Sequence, residues 1–532
     1  MQSSGSRIGF LAAFAASHRE LCHSERLFAG ARNLLLPSWT TNVAIDEPPR
    51  TLTVGRAFHR NRAFCAELTI SARRLETQAS HSPGELSVKK LLASCLLALL
   101  PFALIAQTPN KNSAAPKITY IIAGRLFDAT RDSVRQNIGI TIEGDRIKSV
   151  APNGTPPAGA TVIDLSHATV LPGLIDCHTH LGYRADRYDE IYNFKDTPFD
   201  SAFFAVVNAR KTLEAGFTSV RDVGSLPFLA VDLRNSINEG LIPGPRVVAS
   251  GPPISITGGH GDLNNFSPQT RVVMFPDERD FEIADSVDQI RHVIRAQVKY
   301  GVDVIKILAT GGVLSKGDNP GAPQFTFEEL KAAAETAHMA GRKIAAHAHG
   351  TEGIKNSILA GIDSIEHASL IDDEGIRLAK EHGTYLVMDI YNDDYILNEA
   401  PKFGLPTENI EKEKMVGKLQ RENFEKAVKA GVKMAFGTDA GVYPHGDNAK
   451  QFYYMVKFGM TPAQAIRAAT SSAADLIGRA SDVGTIEPGK YADIIAVQSD
   501  PLSDIRSLEH VDFVMKGGTV YKDPRSGSAT RQ

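Results

Sequence analysis

The chain has 532 residues, of which 42% are hydrophobic and 22% charged, with a formal net charge of -3 at neutral pH. That length allows a large core and more than one domain, and the composition is ordinary for a globular protein. With 58 Lys and Arg against 61 Asp and Glu, nothing in the charge favours nucleic acid or a membrane surface as a partner.

Residues 1–88 differ from the rest: they contain no lysine, hold the sole tryptophan, Trp39, and show no sustained helix or strand period. Lys89-Lys90, an apolar run over 91–106 and the polar Gln107-Thr108 then read as a secretory signal peptide over 89–107. The run is too short, and too broken by Pro101, to span a bilayer. The expectation is that translation starts near Val88, that the upstream stretch is a gene-calling artefact, and that the mature protein is exported to the periplasm or the exterior. Three of the cysteines (Cys22, Cys65, Cys95) precede the body of the chain, leaving Cys177 alone there. No disulfide framework follows, and the redox compartment is not legible.

From 117 to 169, short strands around 118–122, 138–142 and 147–150 alternate with the turn residues Gly124, Gly144-Asp145 and Asn153-Gly154. Matching strands are expected at 484–486, 492–497 and 511–515, with Gly517-Gly518 as a hairpin turn. Neither end makes a core alone, so 117–169 plus 484–522 are expected to form one small β-sandwich domain.

Between them, over 170–483, apolar runs alternate with helical stretches such as 327–340 and 423–430, the pattern of a parallel sheet with crossover helices. Eight runs are expected as strands: 170–181, 218–224, 246–255, 304–312, 343–350, 364–369, 385–391 and 434–441. Eight strands over about 270 residues suit an α/β fold of the closed (β/α)8 type, TIM-like, whose active site lies at the C-terminal strand ends.

Polar residues collect at those ends. The first run closes on His178-Thr179-His180, whose imidazoles share a strand face and can grip one metal, while Cys177 faces away as a buried small hydrophobe. Lys306 lies on the fourth run, His347 and His349 end the fifth, Glu366-His367 the sixth, and Thr438-Asp439 the eighth. Pairing of Lys306 with Asp303 is disfavoured, because alternation puts them on opposite faces.

This ordered set resembles the metal-dependent amidohydrolase superfamily in its binuclear form, over residues 117 to about 522. The resemblance implies that His178, His180 and Asp439 bind one divalent ion and His347 and His367 a second. Lys306, carboxylated by carbon dioxide to a carbamate, then bridges them. A buried lysine between cations favours its neutral form, which can take up carbon dioxide. Zinc is the default metal for such ligands, and manganese or iron would also fit. The implied chemistry is attack of a metal-bridging hydroxide on a scissile carbonyl, with Asp439 carrying the proton to the leaving amine.

His347 and His349 share a face, so either qualifies as a ligand on position alone; the resemblance favours His347 and leaves His349 to substrate. His260, in the glycine-rich Thr257-Gly258-Gly259-His260-Gly261, is a candidate for binding a substrate carboxylate. His445 and Tyr391 are further substrate-side candidates, and Arg221 is as easily structural. The loops and the His347-Ala348-His349-Gly350 run look most like Xaa-Pro and other Xaa-amino-acid dipeptidases, with ochratoxinase-like and imidazolonepropionase-like proteins nearby. The implied substrate is a small molecule or short peptide: a dipeptide or N-acyl amino acid with a free carboxylate. Alternatives are a cyclic amide hydrolase, an esterase or lactonase on the same centre, or a non-catalytic binding protein. Homo-oligomer formation is left open.

Overall fold

The computed structural model describes residues 116–524, apart from 263–266, 268 and 271–277. The extension expected over 1–88 and the signal-like stretch over 89–107 lie outside the described residues. Among those described, no helix is long and apolar enough to cross a membrane.

The chain opens with strands β1 (Ile118–Leu126), β2 (Arg135–Glu143), β3 (Arg146–Pro152) and β4 (Thr161–Pro172). The barrel region follows with β5 (Leu174–Thr179), β6 (Phe217–Asp222), β7 (Arg246–Ala249), β8 (Val304–Leu308), β9 (Lys343–Ala348), β10 (Ser364–His367) and β11 (Tyr385–Val387). The chain ends with β12 (Ile494–Val497), β13 (Phe513–Lys516) and β14 (Thr519–Lys522).

Strands from the two termini meet in one sheet of order β14-β13-β12-β4-β1-β2-β3. The join is antiparallel, β4 to β12, with Val170 opposite Ala496. A bridge from Arg146 to Tyr491 ties the β3 edge back to the segment before β12, so the sheet curls on itself. Alternation fills its interior: Ile138, Ile140 and Ile142 of β2 meet Ile494 and Phe513 from the far end of the chain. Gly517 and Gly518 both take positive φ, as a two-residue hairpin between β13 and β14 requires. The stretch 484–486, expected as a strand, is irregular.

The barrel is two parallel sheets, β5-β6-β7 and β8-β9-β10-β11. Parallel bridges close it: Ile254–Ile307 joins the third strand to the fourth, Leu386–Met434 the seventh to the eighth, and Thr179–Ala440 the eighth to the first. The eighth segment is held by these bridges and by backbone bonds such as Cys177 N–H to Phe436 O, without forming a regular strand.

Three expected strands are shortened, the first two for identifiable reasons. The run 170–181 breaks at Gly173: Val170 to Pro172 stay in the terminal sheet, and the barrel strand starts at Leu174. A Cβ at Gly173 would lie 2.1 Å from Thr218 Oγ1, so glycine permits the close crossing between sheets. The run 246–255 stops at Ala249, because Pro252 and Pro253 lack the N–H a ladder needs, and pairing resumes only at Ile254. The run 385–391 stops at Val387, which leaves Tyr391 at the start of the helix Asn392–Asn398. Conversely, the helix expected over 423–430 is the end of a 24-residue helix, Thr407–Ala430.

Candidate metal centre

The strand ends bring the ligand-type residues into one buried cluster. His178 Nε2 and His180 Nε2 lie 3.3 and 3.0 Å from the same oxygen, Asp439 Oδ1. His178, His367 and Asp439 each offer a donor atom within 4.8 Å of the other two, and so do His347, His349 and His367. His367 thus belongs to both groups, and its ring centroid is 4.9 Å from that of His178 and 4.6 Å from that of His347. Lys306 is buried on β8, where its charge acts on His178, His347 and His349.

The outer atoms of these side chains are held, which aims the inner ones. Gly224 O is 2.8 Å from His180 Nδ1, Asp389 Oδ1 is 2.8 Å from His367 Nδ1, and Gly311 O is 3.2 Å from His347 Nε2. His178 Nδ1 faces Glu366 Oε2 at 3.0 Å, and neither atom has another hydrogen-bond partner. Asn392 Nδ2 donates to Asp389 Oδ2 at 2.6 Å and to Asp439 Oδ2 at 3.2 Å, while Gln420 Nε2 donates to Asp389 Oδ1 and to His367 O. Such outer contacts fix ring orientation and raise ligand basicity.

Backbone strain gathers at the same place. His367, Ala368 and Asp439 have φ of 65°, 49° and 56°, a left-handed conformation that costs about 1–3 kcal/mol per residue and clusters at functional sites.

The electrostatics match. Burial, reinforced by the crowding of neighbouring histidines and by Lys306, holds His347 and His349 well below the usual histidine range, so both rings are neutral and able to coordinate. Burial alone would raise Asp439, but His178 and His180 keep it well below the ordinary carboxylate range, hence ionised. Burial lowers Lys306 to about 8, against the opposing pull of Glu366 and Asp439.

The other residues singled out in the sequence divide. His349 is inside the cluster, with Nδ1 2.8 Å from Ser369 Oγ and Nε2 left over. His260 stacks on His347 at 4.3 Å, with Nδ1 2.7 Å from Ser315 Oγ. His445 has its nitrogens 3.1 Å from Thr212 Oγ1 and 3.1 Å from His180 O, contacts that brace a strand end. Tyr391, at the start of the helix beyond β11, packs its ring edge-on to Tyr443 and near Tyr454. Cys177 packs outward with Ile175, Val387 and Ala473, and Asp303 pairs with Arg234 rather than Lys306. Arg221 is a buried support, donating to Cys177 O, Ser364 Oγ and Glu366 Oε1.

Glu366, Asp389, Asn392 and Gln420 received no role from the sequence. Alternation sends Glu366 and His367 to opposite faces, and only the left-handed turn at His367 brings both into the barrel.

A model of the amidohydrolase family matches residues 169–521. An ochratoxinase from Aspergillus niger is 34% identical over 429 residues, 77% of this chain and 88% of its own. Among solved structures, a Xaa-Pro dipeptidase with methionine bound in its active site is similar at a TM-score of 0.72 and 39% identity, over 76% of this chain and 100% of that one. A prolidase complexed with N-methylphosphonate-L-proline reaches 0.71 at 30% identity, over 76% of this chain and 100% of its own. The chain therefore belongs to the amidohydrolase family, as a metal-binding hydrolase of its dipeptidase-like branch.

Proposed function

We propose that this hydrolase is binuclear and cleaves the amide bond of dipeptides or N-acyl amino acids carrying a free carboxylate. The observation that carries the reading is the pair of buried donor groups sharing His367. The residues fit divalent ions: His347 and His349 are neutral beside His367, Asp439 is ionised against His178 and His180, and the outer nitrogens of His178, His180 and His367 are already engaged. His178, His180 and Asp439 would hold one ion, His347 and His367 the other, with Lys306, as its carbamate, between them.

Bound there, two divalent ions, zinc by default, would acidify a water and polarise the scissile carbonyl. Asp439 stays ionised near neutrality, and its Oδ2 is fixed by Asn392, so it is placed to take a proton and release it to the leaving nitrogen. With Nδ1 on Ser315, His260 keeps Nε2 for the substrate carboxylate. A Cβ on Gly312 would lie 2.1 Å from the His260 ring, so that glycine makes room for it. His349 is a second candidate contact. The relatives support an amino-acid product: one binds methionine, another a proline derivative. Export, resting on the 89–107 stretch, belongs to the same proposal.

A panel of dipeptides and N-acyl amino acids, each alongside its C-terminal methyl ester and its ester-linked analogue, tests this. The amide substrates with a free carboxylate should be turned over, and methylating that carboxylate should cut kcat/KM by about 10²-fold or more through loss of a charge-assisted contact. Preference for ester-linked substrates, or indifference to the carboxylate, would overturn the reading.

A further inference from the structure

Two segments that start far apart on the barrel's rim meet above the buried cluster. The first, 183–190, follows β5 and begins with Tyr183 stacked on His180, ring centroids 5.1 Å apart. It is pinned along its length: Tyr395 Oη donates to Ala185 O at 3.1 Å, and Tyr188 N–H to Phe403 O at 3.2 Å. A Cβ on Gly404 would lie 2.9 Å from Asp189 Cβ, so glycine permits that close approach. The second segment, 311–318, follows β8, and its Ser315 holds His260, which stacks on His347. Asp318 folds it into a tight turn, accepting from Gly312 N–H at 2.9 Å and from Ser315 Oγ at 2.6 Å. Lys412 Nζ reaches in from its helix to Asp318 Oδ1 at 2.7 Å and Ser315 O at 2.9 Å.

The two segments join through the ion pair of Glu190 with Lys316. The charges around it have partners of their own: Arg184 has Asp186, Arg187 has Asp196, and Lys412 has Asp318 and Glu408. Asp189 accepts from Ile191 N–H, and Glu408 from Gly317 N–H. Because β5 and β8 are the first and fourth strands of the barrel, the pair spans its mouth instead of linking neighbours. One foot of this arch rests on His180 and the other, through His260, on His347. Strand ends at a barrel mouth face solvent unless something covers them, yet His178, Lys306, His347, His349, His367 and Asp439 are each at most 8% exposed.

We propose that Glu190 and Lys316 determine specificity for substrate length, by closing this arch over the site. The role rests on the peptide substrate proposed above: its carboxylate meets His260, its scissile bond lies at the cluster, and its N-terminal end points toward Tyr183. A dipeptide or N-acyl amino acid ends beneath the arch. A further residue at the N-terminal end runs into the segment 183–190 and leaves only where the arch parts. Backbone and buried contacts anchor both halves, whereas the two side chains of the join are each 37% exposed. An exposed pair is weak and screened by salt, so the arch yields at that join and not at its feet. Short substrates enter through this opening and fit when it closes; longer ones hold it open.

The test compares kcat/KM for a dipeptide with that for the same dipeptide lengthened by two alanines at its N-terminal end. The wild type should prefer the short substrate by about 100-fold or more. Glu190→Gln and Lys316→Glu should shrink that preference about 5-fold or more by raising kcat/KM for the long substrate. Lys316→Arg keeps the pair and should keep the preference. Independently of turnover, a zero-length carbodiimide should couple Glu190 to Lys316 in the wild type, located by peptide mass mapping. Absence of that cross-link overturns the proposal, and so does a preference unchanged in Glu190→Gln and Lys316→Glu. Turnover of other amides or esters but of no peptide would refute the peptide reading by itself. The same comparison on that substrate and its lengthened form then decides whether the arch selects by length.

Discussion

Asp439→Asn is expected to lower kcat by about 10³-fold while leaving the fold intact. The carboxylate sits where both strand-one imidazoles converge, and those rings hold it ionised against the burial that would otherwise protonate it. An amide of the same shape has no proton-accepting oxygen of comparable basicity. Asn392 already donates to Oδ2, which turns the new amide's oxygen toward Asn392 and its NH2 toward His178 and His180. Donors then face the place where a cation belongs, so metal affinity should fall as well. The backbone at φ 56° is one that Asn tolerates as readily as Asp, and for that reason the fold should survive. Stopped-time kinetics with near-UV circular dichroism would check both halves. Wild-type turnover from the variant would refute the proton-carrying role.

Glu366→Ala should damage both stability and metal binding. Glu366 is fully buried between Arg221 Nη2 at 2.8 Å, Ser364 Oγ at 2.6 Å and His178 Nδ1 at 3.0 Å. Removing it leaves Arg221 buried without its counter-charge, which costs about 3–5 kcal/mol. It also frees the outer nitrogen of His178, a loss worth about 10–100-fold in metal affinity. The double variant Glu366→Leu/Arg221→Met removes both charges and should recover much of the stability but none of the metal affinity. Urea unfolding and metal titration would separate the two. Burial would raise the Glu366 carboxyl, but Arg221 and His178 override it and hold it well below the usual glutamate range. A depressed folded-state pKa stabilises above the unfolded value and is lost as pH falls through the folded one. Its contribution should therefore be whole at neutral pH and vanish only in strong acid.

Much of this site is legible in the sequence because the barrel spaces its chemistry regularly. His178, Lys306, His347 and Asp439 each end or line an apolar run, and a parallel barrel gathers such ends on one face. What escapes is whatever depends on departures from regular backbone. Glu366 is hidden by the left-handed His367, which overrides strand alternation. Asp389 and Asn392 fall just past β11, a strand whose early end no local pattern marks. Gln420 reaches the site from a long helix whose first half, interrupted by Gly417, carries too few apolar residues to stand out. His445 stands near Asp439 in sequence, but its contacts with Thr212 and His180 O join elements distant in the chain and cannot be read there.

The most direct test of the account is the metal content of the purified chain, measured by mass spectrometry alongside that of Lys306→Ala. Two divalent ions per wild-type chain are predicted, with the variant falling to one or fewer because a shared ligand is gone. Wild-type protein that cleaves an amide substrate while carrying no stoichiometric metal would contradict it.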